Sequence, residues 1–121
     1  MLSIKYLLLL LASQIIVSSK LVQVLSIFRH GARYQLGGGY DPTTPDQEGE
    51  LTGVGMRQHQ TLGQILRKEY IENLGFLSAQ YNRKEIEVYS TTTNRTVESA
   101  LSQLYGLYPL GSGPRLTLVN L

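Results

Sequence analysis

Apolar residues run from Tyr6 to Val17 with only Ser13 and Gln14 between them, behind a single Lys5 and ahead of Ser18, Ser19 and Lys20. A short apolar run after a basic residue and before small residues is the pattern of a secretory signal peptide, here residues 1–19. A membrane-spanning helix needs about 20 predominantly apolar residues, so no stable span is expected once that segment is cleaved. Next, LVQVLSIF (residues 21–28) is β-branched and apolar on both alternating faces, the pattern of a strand buried in a parallel sheet. Gly, Pro, Asp and Thr crowd residues 35–50 and predict a surface loop.

In LTGVGMRQHQTLGQILRKEY, Thr52 is the natural N-cap of a helix carrying Leu62, Ile65, Leu66 and Tyr70 near one face, with Asn73 and Gly75 at its end. Gly63, beside that face, would let the helix approach a sheet closely. EIEVYS (residues 85–90) alternates as a second strand, and TTTNRTVESALSQLYGLYP follows as a second helix that Pro109 stops. Val97, Ala100, Leu101, Leu104 and Tyr108 fall at helical spacing along it. RLTLVNL, residues 115–121, alternates like a third strand. The order strand, helix, strand, helix predicts an α/β fold: a mostly parallel sheet flanked by helices on both faces, with right-handed crossovers.

Composition narrows the function classes. The chain has 121 residues, room for one domain at most, and 11 Lys and Arg stand against 9 Asp and Glu. A net charge of +2 with acids scattered throughout excludes a nucleic-acid stripe, and the 8 Tyr read as packing or surface contacts. No Cys is present, so an exported product would hold together by packing rather than disulfides.

The chemistry lies in SIFRHGARY. Arg29, His30 and Arg33 leave the end of the first predicted strand together. Arg cannot lose its proton, so two guanidiniums around one imidazole are costly unless an anion joins them. In open α/β sheets ligands bind beyond the carboxyl ends of the strands, where the second predicted strand also delivers Arg95, in the first turn of its helix. The hydroxyls of Ser90 to Thr93 add donors. Phosphate suits such a site, because guanidinium forks bind its oxygens bidentately. A neutral His30 in line with the leaving oxygen can then attack phosphorus. His59, the other histidine, reads as a solvated helical residue without chemistry. Asn94 opens an NRT glycosylation sequon but is expected to stay unmodified, since a glycan there would crowd the site.

These residues resemble the histidine acid phosphatases. RHGAR at 29–33 looks like that family's first motif, LTGVGMRQHQTLGQILRKEY like its first helix and YSTTTNRTVESA like its distal arginine motif. The resemblance implies His30 as the phosphate-accepting nucleophile and Arg29, Arg33 and Arg95 as phosphate ligands, with no metal or cofactor. It implies hydrolysis of small phosphate monoesters, no nucleic-acid partner, and residence outside the cell or in the lysosomal or endosomal lumen. Gln35 and Gly53 stand where the family often has Pro. The family's second His, followed by Asp or Ala-Glu, is absent from this sequence. Residues 20–121 are therefore expected to be the N-terminal part of a larger catalytic domain and to be inactive alone, the alternative being a truncated, non-catalytic remnant that at most binds phosphate.

Overall fold

The computed structural model describes residues 19–37 and 47–112. The signal-peptide segment to Ser18 and the third predicted strand lie outside those residues, as does the middle of the predicted loop.

Two helices dominate. Helix α1 spans Gly53–Arg67 and continues as a π-helical segment, Lys68–Asn73. Helix α2 spans Asn94–Leu107, two residues short of Pro109. Thr52 caps α1 as its side chain predicts: the hydroxyl accepts from the Gly55 N–H at 3.1 Å. The far end of α2 is closed from outside, because Arg67 Nη1 donates to the Leu107 carbonyl at 3.0 Å and satisfies one of the last orphan acceptors.

Among the described residues no strand forms, and the only β pairing is an isolated antiparallel bridge between Arg33 and Leu51. The α/β arrangement predicted from the sequence is therefore corrected to a pair of packed helices with irregular connections. Residues 21–28 run without ladder partners and leave Val22, Leu25 and Ile27 at 82%, 80% and 87% exposure. Residues 85–90 are irregular too, although Ile86 packs against the core. The physical reason is that β-branched alternation records fitness for a pleated, half-buried surface, whereas a strand exists only when another backbone pairs with it.

The helices meet on faces that match the expected apolar ones only in part: Ala100 and Tyr108 are buried and Leu66 packs on the core, but glycines and polar residues share the contact. Gly55, His59 and Gly63 are the buried positions of α1, and Ser99, Ala100, Gln103, Gly106 and Leu107 those of α2. Ile65, Val97 and Leu101, expected on core faces, are exposed. Close approach explains the choice. A Cβ on Gly63 would run into the Gln103 carbonyl, and one on Gly106 into the Gln60 carbonyl, so the helix backbones touch where both lack side chains. Gly63 thus serves a helix crossing and not a sheet. Beyond the crossing, Ile71, Leu107 and Tyr108 form a small core with Leu66, Leu77 and Ile86 around it. No helix among the described residues is long and apolar enough to cross a membrane.

Candidate functional site

The turn bearing Arg29 to Arg33 lies against the first turn of α1. A Cβ on Gly31 would stand 2.5 Å from the Gly55 carbonyl oxygen, so the motif's glycine is required by contact with a second glycine. Polar side chains from both helices take up the turn's backbone groups. The Ala32 carbonyl accepts from the Thr52 N–H at 2.9 Å and from the Thr52 hydroxyl at 2.8 Å. The Ala32 N–H donates to Gln58 Oε1 at 2.9 Å. The Gly31 N–H donates to Ser99 Oγ at 3.1 Å, and that hydroxyl donates onward to the Arg95 carbonyl at 2.6 Å. His59 Nε2 donates to the Arg29 carbonyl at 3.1 Å. Several of these bonds are part-buried, where an unpaired group would cost up to about 1–3 kcal/mol, and together they hold the turn.

The turn borders an open cavity of about 540 Å³, lined by Arg29, His30, Gly31, Ala32 and Arg33 with Gln35, Leu36 and Gln58. Among the described residues no carboxylate lines the cavity, while two permanent positive charges do. His30 is oriented within it: its Nδ1 lies 2.8 Å from the Gly31 carbonyl oxygen. A carbonyl can only accept, so Nδ1 carries a hydrogen, and in the neutral ring the lone pair is then on Nε2. Arg33 anchors one arm of its guanidinium by donating from Nη1 to the Tyr34 carbonyl at 2.9 Å.

Arg95 is in the first turn of α2, as its sequence position predicts, but does not line this cavity. Its Nη1 reaches the Gly49 carbonyl at a long 3.4 Å, and its Nε is buried without a partner. Gly49 in turn lies against Leu36 of the cavity wall. The structure therefore brings Arg29, His30 and Arg33 together and leaves Arg95 beside them. Of the hydroxyls expected to add donors, two are engaged locally: Ser90 Oγ donates to the Thr91 carbonyl, and the Thr91 and Thr96 hydroxyls pair at 2.8 Å.

His59 is not solvated. It is 5% exposed, its Nδ1 is 3.2 Å from the side-chain amide of Gln103, and the Phe28 ring lies 5.2 Å away between centroids. Sequence reasoning missed it together with Ser99 and Gln58. The available signal was spacing: Gly55, His59 and Gly63 repeat every four residues on one face, and Ser99 follows Arg95 by four.

Residues 41–119 match the model of the histidine phosphatase superfamily, branch 2. The chain belongs to that superfamily. The matched span contains both helices and Arg95, while RHGAR precedes it. Among curated proteins, the lysosomal acid phosphatase of Xenopus laevis is 42% identical over 109 residues, which are 86% of this chain and 24% of that protein. The testicular acid phosphatase of Mus musculus is 40% identical over 113 residues, 85% of this chain and 25% of its own length. The lysosomal acid phosphatase of Rattus norvegicus is 43% identical over 93 residues, 71% and 21% of the two chains. This histidine phosphatase sequence thus spans about a quarter of the length of the relatives it matches.

Proposed function

We propose that the protein is a phosphomonoesterase of the acid phosphatase type, working through a phosphohistidine on His30. The observation that carries the reading is the oriented imidazole: Nδ1 is bonded to the Gly31 carbonyl, which makes Nε2 the nucleophilic nitrogen of the neutral ring, in a cavity flanked by Arg29 and Arg33. Nε2 attacks phosphorus, the ester P–O bond breaks with its electron pair on the leaving oxygen, and that oxygen takes a proton from solvent. Water then attacks the phosphoryl group, the P–N bond returns its pair to Nε2, and orthophosphate leaves. Arg29 and Arg33 neutralise the equatorial oxygens, and Arg95 joins them from α2 by turning from the Gly49 carbonyl. No part of this sequence of steps calls on a metal or cofactor. Residues 1–19 act as the export signal, and the luminal or extracellular setting follows from it and from the lysosomal relatives.

Incubating the purified protein with a phosphomonoester labelled on phosphorus, followed by an acid-free quench, should trap a base-stable, acid-labile phosphoryl group on His30. His30→Ala should neither label nor turn over. Arg95→Ala should keep the labelling site yet lose roughly a hundredfold in rate, about 3 kcal/mol, as for removal of one transition-state donor. Labelling that persists in His30→Ala contradicts the assignment. The position of Arg95 outside the cavity favours a second reading, a non-catalytic phosphate binder. Phosphate binding without any covalent label would select it.

A further inference from the structure

We propose that His59 is a positioning residue for the phosphate site, holding through the Arg29 carbonyl the peptide plane from which Arg29 and His30 project. This rests on the reading of Arg29, His30 and Arg33 as the phosphate site. The turn is pinned at four points, and each pin has its own owner. Thr52 takes the Ala32 carbonyl, Gln58 the Ala32 N–H, Ser99 the Gly31 N–H, and His59 the Arg29 carbonyl. The peptide joining Arg29 to His30 therefore has its side-chain anchor in His59, and none of the other three can replace it.

The ring is held on every side. The Arg29 carbonyl has no hydrogen to give, so His59 Nε2 must carry one. The other nitrogen faces the buried Gln103 amide of α2, which satisfies Nδ1 in either protonation state because an amide turned by half a revolution offers N–H in place of oxygen. Phe28 covers the ring at 5.2 Å and directly precedes Arg29. His59 thus grips the side chain of one residue and the carbonyl of the next, and ties both to α1 and α2. A group that must be held to a fraction of an ångström loses much of its effect when its supporting contact is removed, up to roughly a hundredfold per ångström of misplacement.

The test compares wild type, His59→Leu and His59→Gln. Leu keeps much of the volume and removes the donor, while the Gln side-chain nitrogen reaches the place of the imidazole Nε2. Binding of inorganic phosphate should weaken roughly tenfold in His59→Leu, the value of one lost buried hydrogen bond, and recover most of that loss in His59→Gln. Melting of each variant separates lost folding from lost positioning. In the wild type, phosphate should shift the ring ¹⁵N resonances of His59, whose side chain does not line the cavity, and this measurement stands even if His59→Leu does not fold. Wild-type affinity in a folded His59→Leu, failure of His59→Gln to recover, or unmoved ring resonances on phosphate binding overturns the positioning role and leaves the phosphate site intact. A wild type that binds no phosphate overturns the site itself, and the positioning role with it.

Discussion

Ser99 shows how much one hydroxyl can organise. At 1% exposure it accepts from the Gly31 N–H and donates to the Arg95 carbonyl, so one oxygen joins the histidine turn to the helix turn that bears the third arginine. Ser99→Ala keeps the backbone and strands the Gly31 N–H, which should destabilise the protein by about 1–3 kcal/mol in a denaturant titration. An unchanged midpoint and slope would contradict that accounting. Glu85 is the other residue whose surroundings set its behaviour. Its carboxylate accepts from the Ser78 hydroxyl and N–H at 2.7 and 2.8 Å and from Asn82 Nδ2 at 2.8 Å, and these bonds, the Ser78 hydroxyl foremost, lower its pKa. A lowered pKa in the folded state gives stability that is complete above the ordinary carboxylate range and disappears as pH falls through the lowered value. The 78–85 loop should therefore keep its charged anchor into mild acid. Ser78→Ala should move the Glu85 titration, followed by NMR, upward; an unmoved titration would show that the hydroxyl is not its main cause.

At the scale of elements, the helix crossing depends on absent side chains more than on apolar ones. Gly63→Ala or Gly106→Ala puts a methyl into the backbone of the facing helix, and should cost about 3 kcal/mol or more because neither backbone can withdraw without the other's turns moving. Circular dichroism melting checks this. Little change in melting temperature would mean that the helices are not in backbone contact. Thr52 joins two elements with one side chain, capping α1 and holding Ala32. Thr52→Ala should cost about 1 kcal/mol for the cap and somewhat more for the lost hydroxyl bond to the Ala32 carbonyl, which keeps the Thr52 N–H. Thr52→Ser should restore both.

For the whole molecule the notable feature is apolar surface. Val97, Leu101 and Tyr105 follow one another every four residues along the outside of α2, and Val22, Leu25 and Ile27 are largely exposed. An environment-sensitive dye for apolar surface should therefore bind the 121-residue chain, and size-exclusion chromatography should show species above monomer mass. A monodisperse, dye-silent monomer would contradict this.

Sequence alone determined what depends on neighbours a turn away. Thr52 as cap, the two helices with Pro109 beyond the second, and Arg95 in a first helical turn are set by contacts within a few residues, so the local pattern carries them. Tertiary structure decided whatever depends on a distant partner. Residues 21–28 have the composition of a strand, yet only a second backbone could make them one, and no spacing within the segment records whether it arrives. The faces of α1 and α2 turned inward are those that permit backbone contact, selected by the fit of Gly63 to Gly106 as well as by hydrophobicity. His59 moved from an expected solvated position to a buried one for the same reason. Its surroundings are the Arg29 carbonyl 30 residues before it and Gln103 44 residues after it, and a ring can be satisfied out of water only once the fold has brought those groups together.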